Sequence, residues 1–171
     1  MKNLKIDLTL IKTHGKVLFI LMLFTFLITS CGKKKGCTNT IATNFDSSAE
    51  EDDGSCQVAG LGGATTIVAF PQHHGKPIYN LDSIYNYPDT AYVKFNAQDQ
   101  PANLNSYDAI FTGTPGENHV HLEGLKPGKY YIFMAGFDTS LVPDKRVKGG
   151  LPYTLTQASG ELNLNVAVTE E

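Results

Sequence analysis

The second half of the chain alternates apolar and polar residues in short runs, which is the pattern of β-strands that bury one face. Turns rich in glycine and proline separate these runs, and no window among them has the period of an amphipathic helix. Several short strands joined by such turns favour two packed sheets. We therefore predict an all-β domain over 64–171, an antiparallel β-sandwich of about seven strands. The clearest runs are 65–70, 91–95, 107–112, 119–123, 129–137 and 162–168.

A longer apolar run lies at 17–28, interrupted only by Thr25 and preceded by four lysines, Lys2, Lys5, Lys12 and Lys16. It is too short to cross a bilayer, which takes about 20 helical residues. A positive start followed by a short apolar run is instead typical of a secretory signal.

The run ends in Ile28-Thr29-Ser30-Cys31, which resembles the lipobox of bacterial lipoproteins. The resemblance implies that residues 1–30 are a signal peptide with a signal helix. It also implies cleavage before Cys31 and attachment of a lipid such as palmitate to that cysteine. Residues 31–36 would then form a tether between the membrane and the folded part.

The chain contains three cysteines, an odd number for an exported protein. If Cys31 carries lipid, Cys37 and Cys56 remain as a pair, and outside the cytosol such a pair is expected to be oxidised. The disulfide would close an acidic stem over 37–56 and stabilise it by roughly 3 kcal/mol. The glycine-containing segment 57–63 is predicted to be a linker to the sandwich.

Charge narrows the function classes. Without residues 1–30 the chain has 10 basic and 16 acidic residues, a formal charge of −6. Its basic run, Lys33 to Lys35, directly follows the lipid site and is expected to keep the tether solvated beside lipid headgroups. The sequence contains no other basic patch, so nucleic-acid binding is not expected. The sequence also lacks a nucleophile elbow, a phosphate-binding glycine loop and a zincin helix, so we do not expect an enzyme.

The stem has a distinctive sequence, beginning Cys37-Thr38 and ending Asp52-Asp53-Gly54-Ser55-Cys56. It resembles a short module of secreted Bacteroidetes-type proteins that is similar to the calcium-binding repeats of thrombospondins. The resemblance implies a Ca²⁺ site, because calcium prefers carboxylate and carbonyl oxygens. Asp46, Asp52 and Asp53 are the candidate ligands. The alternative is a solvated spacer without metal.

The stretch 120–131 contains Gly124-Leu125-Lys126-Pro127-Gly128-Lys129-Tyr130, between two predicted strands. It resembles the hairpin of prealbumin-like sandwiches, which include transthyretin-like and carboxypeptidase-regulatory-like domains. The resemblance implies a prealbumin-like fold. In this motif Pro127 presets a turn dihedral and Gly128 is expected at positive φ, while Leu125 and a tyrosine fill the core.

The histidines after residue 30 fall in two tight pairs, His73-His74 and His119-x-His121. His119 and His121 are two positions apart on a predicted strand, so they share a face, which we expect to point outward. Imidazole is a preferred ligand of Cu²⁺ and Zn²⁺, so the two pairs predict a transition-metal site. The alternative is that all four are ordinary surface residues.

Two functions follow from these patterns. The first is a lipid-anchored envelope protein that binds copper or zinc through His73, His74, His119 and His121. The second is a structural or interaction module for an envelope protein or glycan partner. Gly32 stands where an aspartate retains lipoproteins at the inner membrane, so the outer membrane is expected. The basic residues Lys33 to Lys35 favour a domain that faces the periplasm over one at the cell surface.

Overall fold

A computed structural model describes residues 32–78 and 89–171. The predicted signal peptide 1–30, the lipidation site Cys31 and the aromatic stretch 79–87 lie outside the described residues. By their internal contacts, the residues from Lys35 to Glu171 form one compact unit. The described segments contain no helix that is long and apolar enough to cross a membrane.

The described residues form ten strands and one short 3₁₀ helix, Leu104–Ser106. The strands are β1 (Lys35–Gly36), β2 (Glu51–Asp52), β3 (Leu61–His73), β4 (Lys76–Pro77), β5 (Thr90–Phe95), β6 (Ala109–Thr112), β7 (Val120–Leu125), β8 (Gly128–Asp138), β9 (Lys145–Leu155) and β10 (Ser159–Glu170). The predicted all-β class is confirmed.

Eight of these strands form one sheet in the order β4-β3-β10-β9-β8-β5-β6, and β7 pairs with β3. The sheet is consistent with the predicted β-sandwich, and β4 adds only two residues to the seven longer strands. One pairing differs from the antiparallel prediction: β10 runs parallel to β3 from Ser159 opposite Ala64 to Val168 opposite His73. The alternation of a strand shows which face is buried, but it does not encode the direction of the neighbouring strand.

The inward side chains of seven strands meet in one apolar core. Ile67 of β3, Leu122 of β7 and Ile132 of β8 have no exposed surface. Val166 and Val168 of β10, the neighbour of β3, belong to the same core. At about 25 cal/mol for each Å² of apolar surface removed from water, this burial is the main force that holds the strands together.

Strand β3 is longer at both ends than the predicted run. It begins at Leu61, and Ala59 before it is already buried in the core. It also continues through Pro71 to His73, although proline cannot donate to a ladder. Pro71 is tolerated because β3 passes there from pairing with β7 to pairing with β4.

The motif around Leu125 is a corner between β7 and β8 and not a hairpin, because β7 pairs with β3 whereas β8 pairs with β5 and β9. Leu125 and Tyr130 are fully buried, as expected. The Tyr130 hydroxyl accepts a hydrogen bond from the Gly60 backbone N–H and lies within hydrogen-bond distance of the Lys126 carbonyl. The tyrosine therefore fastens the corner to the start of β3.

Gly128 does not have the positive φ expected of it, and Gly124 has it instead, at 72°. Gly128 is required for a different reason. A Cβ at this position would overlap the backbone nitrogen of Ala59. The motif therefore contains one glycine for its dihedral angle and one for a close backbone contact.

The predicted Cys37–Cys56 disulfide is confirmed, and it closes a small stem in which β1 pairs with β2. The stem also meets the segment that leads to the sandwich, since the backbone N–H of Thr43 donates to the Gln57 carbonyl at 3.0 Å. Asn44 Oδ1 accepts from the Gln57 N–H at 2.7 Å. These bonds fix the exit of the stem at Gln57.

Candidate metal centres

The two histidines of the His-x-His motif lie at the start of β7. Val120 and Leu122 are fully buried, while His121 is exposed and His119 is partly exposed. This confirms that the histidines share the outward face of the strand. Phe70 of the adjacent β3 packs against the His119 ring, with 5.3 Å between the ring centroids.

The Nε2 atoms of His119 and His121 are 3.0 Å apart. His119 Nδ1 lies 3.0 Å from Asn118 Oδ1, so this nitrogen carries the proton and donates it to the amide oxygen. In the neutral ring the lone pair is then on His119 Nε2 and accepts a hydrogen bond from the His121 Nε2–H. Glu117 Oε2 is 3.7 Å from His119 Nε2 and completes a group of three ligand atoms within 4.8 Å.

This spacing suits a metal ion in place of the shared proton. Two nitrogens bonded to one ion at about 2.0–2.1 Å lie about 2.9 Å apart at a right angle and about 3.3 Å apart at the tetrahedral angle. The observed 3.0 Å is also an ordinary hydrogen-bond distance and is compatible with either geometry.

The other pair lies where β3 ends. His73 is buried, and its Nδ1 is 2.7 Å from Asp138 Oδ2 on β8. The other oxygen, Asp138 Oδ1, accepts from the backbone N–H and the hydroxyl of Ser140. Burial would raise the pKa of Asp138, but the hydrogen bonds from Ser140 and His73 outweigh it and lower the pKa. Asp138 is therefore held as a carboxylate against the His73 ring.

The four histidines thus divide between two groups among the described residues, and each group is completed by a glutamate. His73 and His74 group with Glu170, and His119 and His121 with Glu117. The sequence pattern did not indicate Glu170 or the role of Asp138, because their positions depend on how β10 and β8 align with β3.

The three candidate calcium ligands do not converge in the same way. Each carboxylate accepts hydrogen bonds from the residue two positions ahead: Asp46 from Ser48, Asp52 from Gly54, and Asp53 from Ser55. Such bonds stabilise turns. The hydrogen bonds from Ser55 lower the pKa of the exposed Asp53. None of the three belongs to the metal-type groups found among the described residues, and calcium binding stays a prediction.

A carboxylate without a partner lies deeper in the domain. Asp89 is 2% exposed, and neither of its carboxylate oxygens has a hydrogen-bond partner in the described part of the chain. The Asp89 carboxylate has room because residue 136 is glycine: a Cβ on Gly136 would overlap Asp89 Oδ1. Burial raises the pKa of Asp89 to about 7.

A groove with aromatic walls crosses the outer face of β5 and β8. Tyr92, Tyr107 and Phe133 lie 5.8–6.1 Å apart by ring centroids, and Arg146 and Lys148 stand at its edge. The Tyr107 hydroxyl is buried and has no hydrogen-bond partner among the described residues. Burial and the nearby Tyr131 raise the pKa of Tyr107 to about 12.

No family model matches the chain, and no curated protein matches it. Among solved structures it is similar to a DUF4876 family protein from Bacteroides thetaiotaomicron VPI-5482, with 17% sequence identity and a TM-score of 0.38. The similarity covers 62% of this chain and 24% of that protein, so the chain spans about a quarter of its length. At this level the similarity supports no statement about ligands or partners.

Proposed function

We propose that the protein is a lipid-anchored envelope protein whose sandwich binds a divalent transition metal, Cu²⁺ before Zn²⁺, at Glu117, His119 and His121. The observation that supports this most directly is the 3.0 Å separation of the two histidine Nε2 atoms beside a carboxylate. No residue needs to move far for these three ligand atoms to reach one ion.

The position of the group suits a binding protein that takes up and releases its ion. His121 and Glu117 are exposed on the rim of a groove between β6 and β7, so an ion can enter and leave without opening the core. The order of divalent affinities for nitrogen and oxygen ligands favours copper over zinc at such a site. Binding would break the hydrogen bond between the two Nε2 atoms and move the His121 proton from Nε2 to Nδ1, so both imidazoles bind the ion in their neutral form.

Titration with metal tests this site. Residues 32–171, which include the whole compact unit from Lys35 to Glu171, should bind Cu²⁺ saturably in a calorimeter. The comparison is made in a His74→Ala background, so that the other histidine pair does not bind copper. Replacement of both His119 and His121 by alanine should then weaken this binding by about 100-fold or more, because only the Glu117 carboxylate of the group remains. Glu117→Gln should weaken it less. Glu161→Gln, which removes an exposed charge elsewhere, serves as the matched control.

Copper binding that is equal in the parent and in the double-alanine variant would contradict the proposal. In that case the groove of Tyr92, Tyr107 and Phe133 becomes the leading candidate, because aromatic rings and an unpartnered hydroxyl suit a glycan or peptide partner. Such a result would favour the interaction-module function.

The anchor has its own test. The full chain expressed in a Gram-negative host should fractionate with membranes, and Cys31→Ala should shift it to a soluble or unprocessed form. Mass spectrometry of the parent should find the first residue to be an acylated Cys31. An unmodified Cys31 in a correctly exported protein would exclude lipid anchoring.

A further inference from the structure

The other group of metal-type ligands lies where β3, β8 and β10 end together. His73 is the last residue of β3, and its Nδ1 is 2.7 Å from Oδ2 of the buried Asp138. With Nδ1 engaged, the ring offers Nε2 as its one remaining ligand atom. A carboxylate behind a metal-binding histidine fixes the ring and raises its basicity, and this arrangement is common in zinc sites.

His74 and Gly75 form the two-residue turn between β3 and β4, in which His73 pairs with Lys76. Both have positive φ, at 50° and 75°, as this type of tight turn requires. The turn places the His74 ring beside that of His73, with 4.1 Å between the centroids. The two imidazoles are therefore close enough to serve one ligand.

The third ligand of this group, Glu170, comes from β10, the last strand. Strand β10 runs parallel to β3 with Val168 opposite His73, so Glu170 extends just beyond the end of β3, where His74 lies. The ligand atoms of His73, His74 and Glu170 are within 4.8 Å of one another. Two histidines and one carboxylate with an open position are a recognised ligand set for Zn²⁺.

We propose that His73, His74 and Glu170 form a second site, separate from the first, that binds a Zn²⁺ ion and fastens the end of β10 to β3. Asp138 is a positioning residue that orients His73. His73 is buried and its partner Asp138 is held by Ser140, so this ligand is fixed in place, whereas His74 and Glu170 are exposed.

Lys145 forms an ion pair with a proposed ligand and therefore provides a test of the site. Its Nζ is 3.4 Å from Glu170 Oε2, so zinc must displace this cation from the carboxylate. Loss of the lysine charge should therefore tighten zinc binding. Lys148 forms the corresponding ion pair with the next glutamate, at 3.3 Å from Glu171, and provides a matched control.

The experiment uses residues 32–171 with His119→Ala and His121→Ala, so that the first site is absent. Competition with a chromophoric chelator should give one bound Zn²⁺, and Co²⁺ in its place should show the strong visible bands of a tetrahedral site. His74→Ala should weaken zinc binding by about 100-fold. Asp138→Asn should weaken it by about 10- to 100-fold. Lys145→Met should tighten it several-fold, and Lys148→Met should leave it unchanged.

His74 is exposed, so its replacement tests the ligand without disturbing the core. The proposal is overturned if His74→Ala binds zinc as the parent does, or if Lys145→Met and Lys148→Met behave alike, which would indicate an adventitious ion only. Because the background lacks the first site, failure here leaves the proposed function standing, and failure of the copper titration leaves this site standing.

Discussion

Asp89→Asn should make the domain more stable above pH 7 by up to about 4 kcal/mol. The unfolded chain ionises this carboxyl near its ordinary pKa of 3.8, whereas burial raises its pKa to about 7 in the folded protein. Below pH 3.8 both states hold the proton and the group has no pH-dependent effect. Between the two pKa values the folded state keeps a proton that the unfolded state has lost, so stability falls as pH rises, by about 1.4 kcal/mol for each pH unit.

Asparagine has the same shape and no charge, so it should abolish this slope. Urea unfolding of the parent and of Asp89→Asn at pH 4 and pH 8 measures the pH dependence of the free energy of unfolding. The contributions of other titrating groups cancel in the difference between the two proteins. Asp99→Asn, at an exposed position, is the control and should follow the parent. A difference that is the same at both pH values would mean that the pKa of Asp89 is equal in the folded and unfolded chain, and it would contradict the prediction.

Gly128→Ala should destabilise the domain by about 3 kcal/mol, because the added methyl group would overlap backbone and not a movable side chain. Ala59 and the corner at Leu125 would have to separate, and the hydrogen bond from Gly60 to the Tyr130 hydroxyl would be strained. Thermal unfolding and urea titration measure the loss.

Gly60→Ala is the matched control for this substitution. It lies next to Ala59, but no atom is within 4 Å of the position of its Cβ and its φ is not positive. We expect its effect to be within about 0.5 kcal/mol, as for other substitutions away from the core. Equal losses in the two variants would show that the corner tolerates a side chain at residue 128.

The sequence located six of the seven longer strands but not β9, where Gly149, Gly150 and Pro152 interrupt the alternation. The alternation at 119–123 correctly placed Val120 inside and His121 outside, since period two follows directly from strand geometry. It could not show that β10 lies parallel to β3, because neighbour and direction depend on long-range packing. The same reason explains why the corner at Leu125 resembles a hairpin in sequence.

The sequence also predicted some of the residues of the candidate sites. Paired histidines are visible in the sequence, and the outward face of His119 and His121 followed from their spacing. Glu170 and Asp138 were not predictable as partners of His73, because each comes from a different strand. The burial of Asp89 was equally hidden, since it depends on the space that Gly136 leaves open.

The pairing of β3 with β10 has a consequence for how the protein matures. These are the first and last strands of the sandwich. Strand β3 therefore leaves a ribosome or a translocation pore before its partner β10 is available. Contacts between such distant parts of a chain slow folding. Until synthesis is complete, β3 has an unpaired edge that can aggregate, and the His73 group lacks Glu170. Zinc loading would therefore be a late event, and a chain that stops short of residue 159 should neither fold nor hold the ion.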